Sequence, residues 1–304
     1  MLGQTRKLPR AGVNVYFRLG RVSNLPTVWT NVLAGVILGG GGAALVPATL
    51  TIVMLAVSAL YVAGMYLNDA FDRAIDARER PERPIPAGEI SAASVFFIGF
   101  TLLAVGLGGL ALCGAGAALA GCALAATILV YDIWHKENPA SPLVMGSCRA
   151  LVYAAAAVAA PGGMATGSSL PLGLAACAIV AHVAGLTYAA KQESLDRLER
   201  LWPLALLALP VTLYTWMPTA AGLTTFATLT MLAALALANV AAALRLARRA
   251  VRGDVPKAVA QLIAATSLLD GVVIASAGGG LLAVLACGAA YAGTRMLQRS
   301  IAGT

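Results

Sequence analysis

The densest group of chemically capable side chains is Asn68-Asp69-Ala70-Phe71-Asp72-Arg73-Ala74-Ile75-Asp76, directly after an apolar run that ends in Tyr66 and Leu67. Asp69, Asp72 and Asp76 stand at i, i+3 and i+7, so a continuing helix puts three carboxylates and the Asn68 amide on one face. Like charges this close repel, and the crowding is tolerated where a cation neutralises it. Oxygen-only donors favour Mg2+ or Ca2+ over zinc, and Mg2+ keeps several waters while bridging carboxylates to phosphates. A diphosphate is the natural third party. A plain solvated helix end with i,i+4 ion pairs to Arg73 and Arg80 is the competing reading of the same residues.

The elements that carry this cluster belong in lipid. Of 304 residues, 60% are hydrophobic and 11% charged, with a mean hydropathy of +0.83, too little polar surface to coat a soluble globule. Apolar runs near bilayer length predict helices at 27–45, 48–68, 91–113, 115–133, 143–160, 171–190, 201–217, 222–244, 258–277 and 280–296. The expected fold is all-α, a polytopic membrane bundle forming one domain over 1–304, with 1–24 a cytoplasmic amino-terminal segment. Ten crossings become nine if Gly278 to Gly280 only kinks a helix.

All 21 Lys and Arg fall on alternate connections, while Pro161 to Pro171 and Met217 to Gly222 carry no charge. The positive-inside rule then puts both termini in the cytoplasm, and a bacterial inner membrane is the expected location. Asp and Glu contribute little to topology, yet all 13 except Asp270 lie on that same side. The net charge of +8 sits in short clusters between apolar runs, which argues against a nucleic-acid partner. The first 21 residues hold Arg6, Lys7, Arg10, Arg18 and Arg21 but no cleavable signal pattern. The five cysteines are scattered without CxxC spacing and read as packing residues.

The acidic cluster matches the NDxxDxxxD motif of the UbiA superfamily of intramembrane prenyltransferases, and Arg83-Pro84-Ile85-Pro86-Ala87-Gly88 resembles its RPxPxG element. Arg21, Asn24, Pro26, Trp29, Asn31 and Gly35 look like the family's first-helix signature, and Tyr131 with Lys136 resembles its tyrosine and lysine after helix four. The second acidic motif, often YAxxDxxxD, corresponds to Tyr188-Ala189-Ala190-Lys191-Gln192-Glu193-Ser194-Leu195-Asp196, where Gln192 replaces an expected Asp. Glu193 is one residue out of register but shares a face with Asp196. That segment, with His135 to Pro139 and Met145 to Arg149, is similar to the EboC-type branch found in ebo operons.

The resemblance implies a helical bundle with a cytoplasm-facing cavity, open laterally to membrane lipid, that takes a prenyl diphosphate and a small acceptor. Asn68, Asp69, Asp72 and Asp76, with Glu193 and Asp196 opposite, are then the Mg2+ ligands. Asp72, Asp76, Asp196 and Lys136 carry catalysis, and Arg83 and Lys191 offset phosphate charge, unless these bases only anchor topology. Asn31, Tyr131, Arg149, Tyr188 and Gln192 are the remaining substrate contacts.

Several residues keep two readings. Tyr66, Tyr153 and Tyr188 can shield an allylic cation or form an interfacial belt, and Arg149 can face the cavity or snorkel. His182 reads as a base or a helix-to-helix hydrogen bond, and Asp270 as functional or bonded within the bundle. Two rival functions also stand: transfer of a phosphorylated sugar or cyclitol to a polyprenyl phosphate, and lipid binding or transport without turnover.

Overall fold

The computed structural model describes residues 12–40, 46–136, 138–160, 169–191, 202–217, 222–248, 254–301 and 303. The described residues form helices and turns with no strand: α1 Val13–Leu19, a 3-10 turn Val22–Asn24, α2 Leu25–Leu38, α3 Pro47–Phe71, α4 Arg73–Glu79, α5 Ala92–Ala111 and α6 Ala115–Trp134. The chain continues as α7 Ser141–Ala159, α8 Ser169–Lys191, α9 Trp202–Thr215, α10 Leu223–Arg248, α11 Asp254–Ser276 and α12 Leu281–Leu297.

Local sequence explains the ends. Proline opens α2, α3 and α7, where a missing N–H costs nothing. Ser91 caps α5 by accepting from the Ser94 N–H at 3.1 Å. α2 stops at Leu38, short of the expected residue 45, because Gly39 and Gly40 begin a glycine run and Gly40 has a φ of 89°. At Gly278, φ is 75° and the Gly279 N–H closes back on the Ile274 carbonyl at 2.8 Å, so α11 ends there and α12 is a separate helix.

Among the described residues seven helices, α3, α5, α6, α7, α8, α10 and α11, are long and apolar enough to cross a membrane, and the Val22–Leu38 stretch, α9 and α12 are shorter apolar helices. The expected membrane bundle therefore holds as an all-helical assembly with seven full-length candidates. The finer expectation of nine or ten crossings counted the runs of α2, α9 and α12, whose helices fall short of full span length.

Two apolar cores share a seam. One surrounds α11 and takes Ala34 and Leu38 from α2 and Tyr153 from α7. The other lies among α3, α5 and α6 and takes Val32 and Val36 from α2 and Val152 and Ala156 from α7. The α2–α7 contact is close because Gly35 and Gly39 face Tyr153, Ala156 and Ala157. Small residues matter here because lipid gives no hydrophobic drive between helices and van der Waals contact must supply it.

A Cβ added at Gly35 would lie 2.6 Å from the Tyr153 carbonyl oxygen, so the helices must separate. Gly35→Ala is expected to destabilise the protein by about 1–3 kcal/mol. Gly108→Ala, which meets nothing within 4 Å, is expected to cause no loss of stability, since Ala also suits a helix interior better than Gly. Thermal unfolding in detergent micelles checks both.

Candidate active site

The acidic helix runs on as the spacing predicts, through a wrinkle at one residue. Asp72 separates α3 from α4, yet its N–H bonds the Asn68 carbonyl at 2.9 Å and the Asp76 N–H bonds the Asp72 carbonyl at 2.9 Å. The i→i−4 ladder therefore continues, and Asp69, Asp72 and Asp76 stay on one side.

Their charge is balanced from three distant segments. Arg83 Nη1 lies 3.0 Å from Asp69 Oδ1 and 2.8 Å from Asp76 Oδ2. Arg21 Nη2 reaches Asp69 Oδ1 at 3.2 Å. His135 Nε2 and Lys136 Nζ meet Asp72 Oδ2 at 3.3 and 3.4 Å. The competing helix-end reading is not realised: Arg73 instead bonds the Ala70 carbonyl at 2.9 Å and lies over the Phe96 ring, and Arg80 lines the neighbouring cavity.

Backbone geometry aims these bases. Ala87 and Gly88 donate to the carbonyls of Arg83 and Ile85 at 2.9 and 3.1 Å, and Gly88 supplies a φ of 74°, so the proline-rich loop folds back with Arg83 over the aspartates. Glu89 fixes this loop to Arg18 through both carboxylate oxygens at 3.1 Å. Arg21 has a φ of 42°, a conformation non-glycine residues seldom adopt, just before the turn into α2. Burial disfavours the Asp72 carboxylate, but hydrogen bonding and charge from His135 and Lys136 outweigh it and hold the carboxyl below its ordinary value. For Asp76 burial wins over Arg83, with Asp72 and Asp69 adding repulsion, and its carboxyl is raised.

Among the described residues no three His, Cys, Asp or Glu converge as a ready metal cage, because each aspartate is drawn to a base. The oxygen donors nevertheless suit Mg2+: Asp72 faces the cavity, and Asp76 Oδ1 is buried without a partner. Gln192, Glu193 and Asp196 lie outside the described residues.

Beside this cluster opens a polar cavity of about 460 Å³, walled by Arg21, Asn68, Asp72, Arg83, Tyr131 and Lys136, with Lys191 across from them on α8. Behind it lies an apolar pocket of about 100 Å³ among Leu60, Gly64, Ile128 and Val152. Tyr131 lines both spaces.

Other expected residues divide. Lys191 is on the polar wall, where its Nζ bonds Ser141 Oγ at 2.6 Å. Tyr188 is off both walls, its hydroxyl donating to the Pro139 carbonyl at 2.8 Å and its ring against Trp202. Arg149 walls the apolar pocket and does not snorkel, since Thr27 and Asn31 hold its guanidinium at 2.8–3.2 Å. Asn31, expected as a substrate contact, is instead fully buried, accepting from Arg149 at 2.8 Å and donating to Asp270 at 3.0 Å.

Tyr153 and Thr30 complete the Asp270 shell at 2.5 Å each, so Asp270 and Tyr153 are bonded within the bundle. Tyr66 donates to the Tyr16 carbonyl at 3.0 Å in the α1–α3–α5 contact, neither belt nor cavity. His182 Nε2 sits 3.0 Å from the Leu262 carbonyl, the helix-to-helix reading.

Sequence reasoning missed Asp132 on the apolar wall and gave no role to His135 or to the Arg21 guanidinium. A signal existed: Asp132, His135 and Lys136 stand at i, i+3 and i+4 at the end of α6.

Arg83 is the shared counter-charge of Asp69 and Asp76. Arg83→Gln is expected to cost about 2–4 kcal/mol by leaving the buried Asp76 carboxylate unpaired and Asp69 with Arg21 alone. Added Mg2+ should restore more stability to this variant than to the unaltered protein, read as thermal midpoints with Mg2+ and with chelator.

The sequence pattern of the UbiA prenyltransferase family matches residues 27–263. Digeranylgeranylglyceryl phosphate synthase of Sulfurisphaera tokodaii is 32% identical over 95 residues, 31% of this chain and 34% of that protein. Its namesake from Ignicoccus hospitalis is 38% identical over 111 residues, 35% of each chain. The match spans about a third of the length of these curated relatives. Among solved structures, a UbiA homolog from Aeropyrum pernix K1 superposes with a TM-score of 0.62 at 22% identity, covering 84% of this chain and 96% of that one. A UbiA homolog from Archaeoglobus fulgidus bound to GPP and Mg2+ gives a TM-score of 0.62 at 14% identity, covering 91% and 99%. These two likenesses show the fold, and the pattern match over most of the chain shows the family: the protein belongs to the UbiA prenyltransferase family.

Proposed function

We propose that this protein is an integral membrane prenyltransferase that moves a prenyl group from a prenyl diphosphate to a small acceptor with Mg2+-assisted release of pyrophosphate. The observation that carries the reading is the direct succession of a polar, charge-lined cavity and an apolar pocket through Tyr131. Such a pair suits a molecule with a diphosphate head and a hydrocarbon tail. The Archaeoglobus fulgidus homolog bound to GPP and Mg2+ supports it.

Mg2+ held by Asn68, Asp69, Asp72 and Asp76, together with Glu193 and Asp196, would neutralise the diphosphate and polarise its departing oxygen. Lys136 and Arg83, now paired with Asp72, Asp69 and Asp76, stand on the cavity wall within reach of phosphate charge, as does Lys191. The apolar pocket keeps water from the allylic cation until the acceptor attacks.

By the positive-inside rule, the end holding the cavity faces the cytoplasm, in keeping with an inner-membrane location and both termini inside. The finer placement in the EboC-type branch rests on His135 to Pro139, Met145 to Arg149 and Lys191 to Ser194 alone. The curated relatives carry a different name, digeranylgeranylglyceryl phosphate synthase. The altered second acidic motif, with Gln192 and Glu193, is the observation behind the two alternatives, sugar-phosphate or cyclitol-phosphate transfer and lipid binding or transport without turnover.

Protein reconstituted in lipid nanodiscs with geranyl or geranylgeranyl diphosphate and a lipid extract as acceptor source should release pyrophosphate only with Mg2+. Asp72→Ala is expected to reduce release by about 100-fold or more. Release indifferent to Asp72 sinks the assignment. Diphosphate binding without turnover points to the non-catalytic alternative.

A further inference from the structure

Asp132 differs from the aspartates of the acidic helix. Asp69, Asp72 and Asp76 each meet a basic side chain, whereas Asp132 forms no ion pair among the described residues. Its Oδ2 is buried and without a hydrogen-bond partner. A carboxylate left so in an apolar wall is costly, and intramembrane acids mark functional positions by default.

Its position gives that cost a purpose. Asp132 lines the apolar pocket, next in sequence to Tyr131, which lines both spaces, and beside Asn68, which lines the polar cavity. A prenyl diphosphate with its head among the bases and its tail in the pocket puts the carbon that joins them at this seam.

We propose that Asp132 is a catalytic residue that faces this allylic carbon and stabilises the positive charge developing on it. The inference rests on the prenyl-transfer reading. The C1–O bond breaks heterolytically, its electron pair leaves with the diphosphate, and C1 becomes cationic. The acceptor's nucleophilic atom then bonds C1, and its proton passes to water in the polar cavity. Asp132 forms no covalent bond; it supplies opposite charge in a water-poor wall, where a fixed charge acts strongly. A cation at C1 itself favours the ionised carboxylate. Glycosidases set a carboxylate against an oxocarbenium-like centre for the same physical reason. Arg149, on the same wall, would repel the cation, but Asn31 links it to the counter-charge of Asp270.

The test is equilibrium binding to the full chain in nanodiscs. Geranylamine, whose ammonium mimics the cationic C1, is compared with neutral geraniol, each with and without pyrophosphate and Mg2+. Geranyl diphosphate with Mg2+ reports the ground state. The unaltered protein should prefer geranylamine by about tenfold or more, including without pyrophosphate. Asp132→Asn should remove that preference while geranyl diphosphate affinity stays within about twofold, and Asp132→Glu should keep part of it. Loss of both affinities together, persistence of the preference in Asp132→Asn, or no preference in the unaltered protein without pyrophosphate overturns the proposal. Failure of the unaltered protein to bind geranyl diphosphate in a Mg2+-dependent way removes the prenyl-transfer reading, and this inference with it.

Discussion

Three carboxylates on one helical face at a membrane boundary must be neutralised, and much of the charged end of the molecule is built around that demand. Leaving even one buried charge unpaired costs about 3–5 kcal/mol, a large share of a protein's whole stability. The counter-charges come from the turn before α2, the loop after α4 and the end of α6. The cluster therefore balances only once these segments have folded against one another. The same bases wall the polar cavity, so the groups that balance the aspartates are those available to an anionic ligand.

A second buried charge shows the contrasting solution. Arg149, Asn31 and Asp270 form a chain of hydrogen bonds across α7, α2 and α11, and Thr27, Thr30 and Tyr153 satisfy its remaining atoms. This ladder crosses the seam between the two apolar cores, where Gly35 and Gly39 bring the backbones together. A satisfied buried network rigidifies its surroundings, while a partly satisfied one remains open to a further ligand. The Asp270 ladder is of the first kind, and the Asp132 wall is of the second.

Local features were legible in the sequence. Apolar runs located the helices, and the i, i+3, i+7 spacing placed Asp69, Asp72 and Asp76 on one face, because both follow from helical periodicity. Helix lengths were less legible: the glycine run after Leu38 shortens α2, α9 ends before its apolar run does, and α12 has only 17 residues. The partners of the aspartates could not be read at all. The two ion pairs of Asp69, across 14 and 48 residues, depend on tertiary packing, which no spacing rule encodes. Asn31 illustrates the same limit, since its place in the first-helix signature says nothing of Arg149 and Asp270 on either side of it.

The boundary between the cavity and the pocket is where these constraints meet. Tyr131 and Asp132 are adjacent on α6, and one turn later His135 and Lys136 hold Asp72. A single helix end thus presents an apolar wall, an unpaired carboxylate and two bases in sequence. Opposite, Lys191 ties α8 to the α6–α7 connection through Ser141 and the carbonyls of His135 and Asn138. Tyr188 adds a bond to Pro139. The chain thus leaves α8 from the cavity wall itself, directly before Gln192, Glu193 and Asp196.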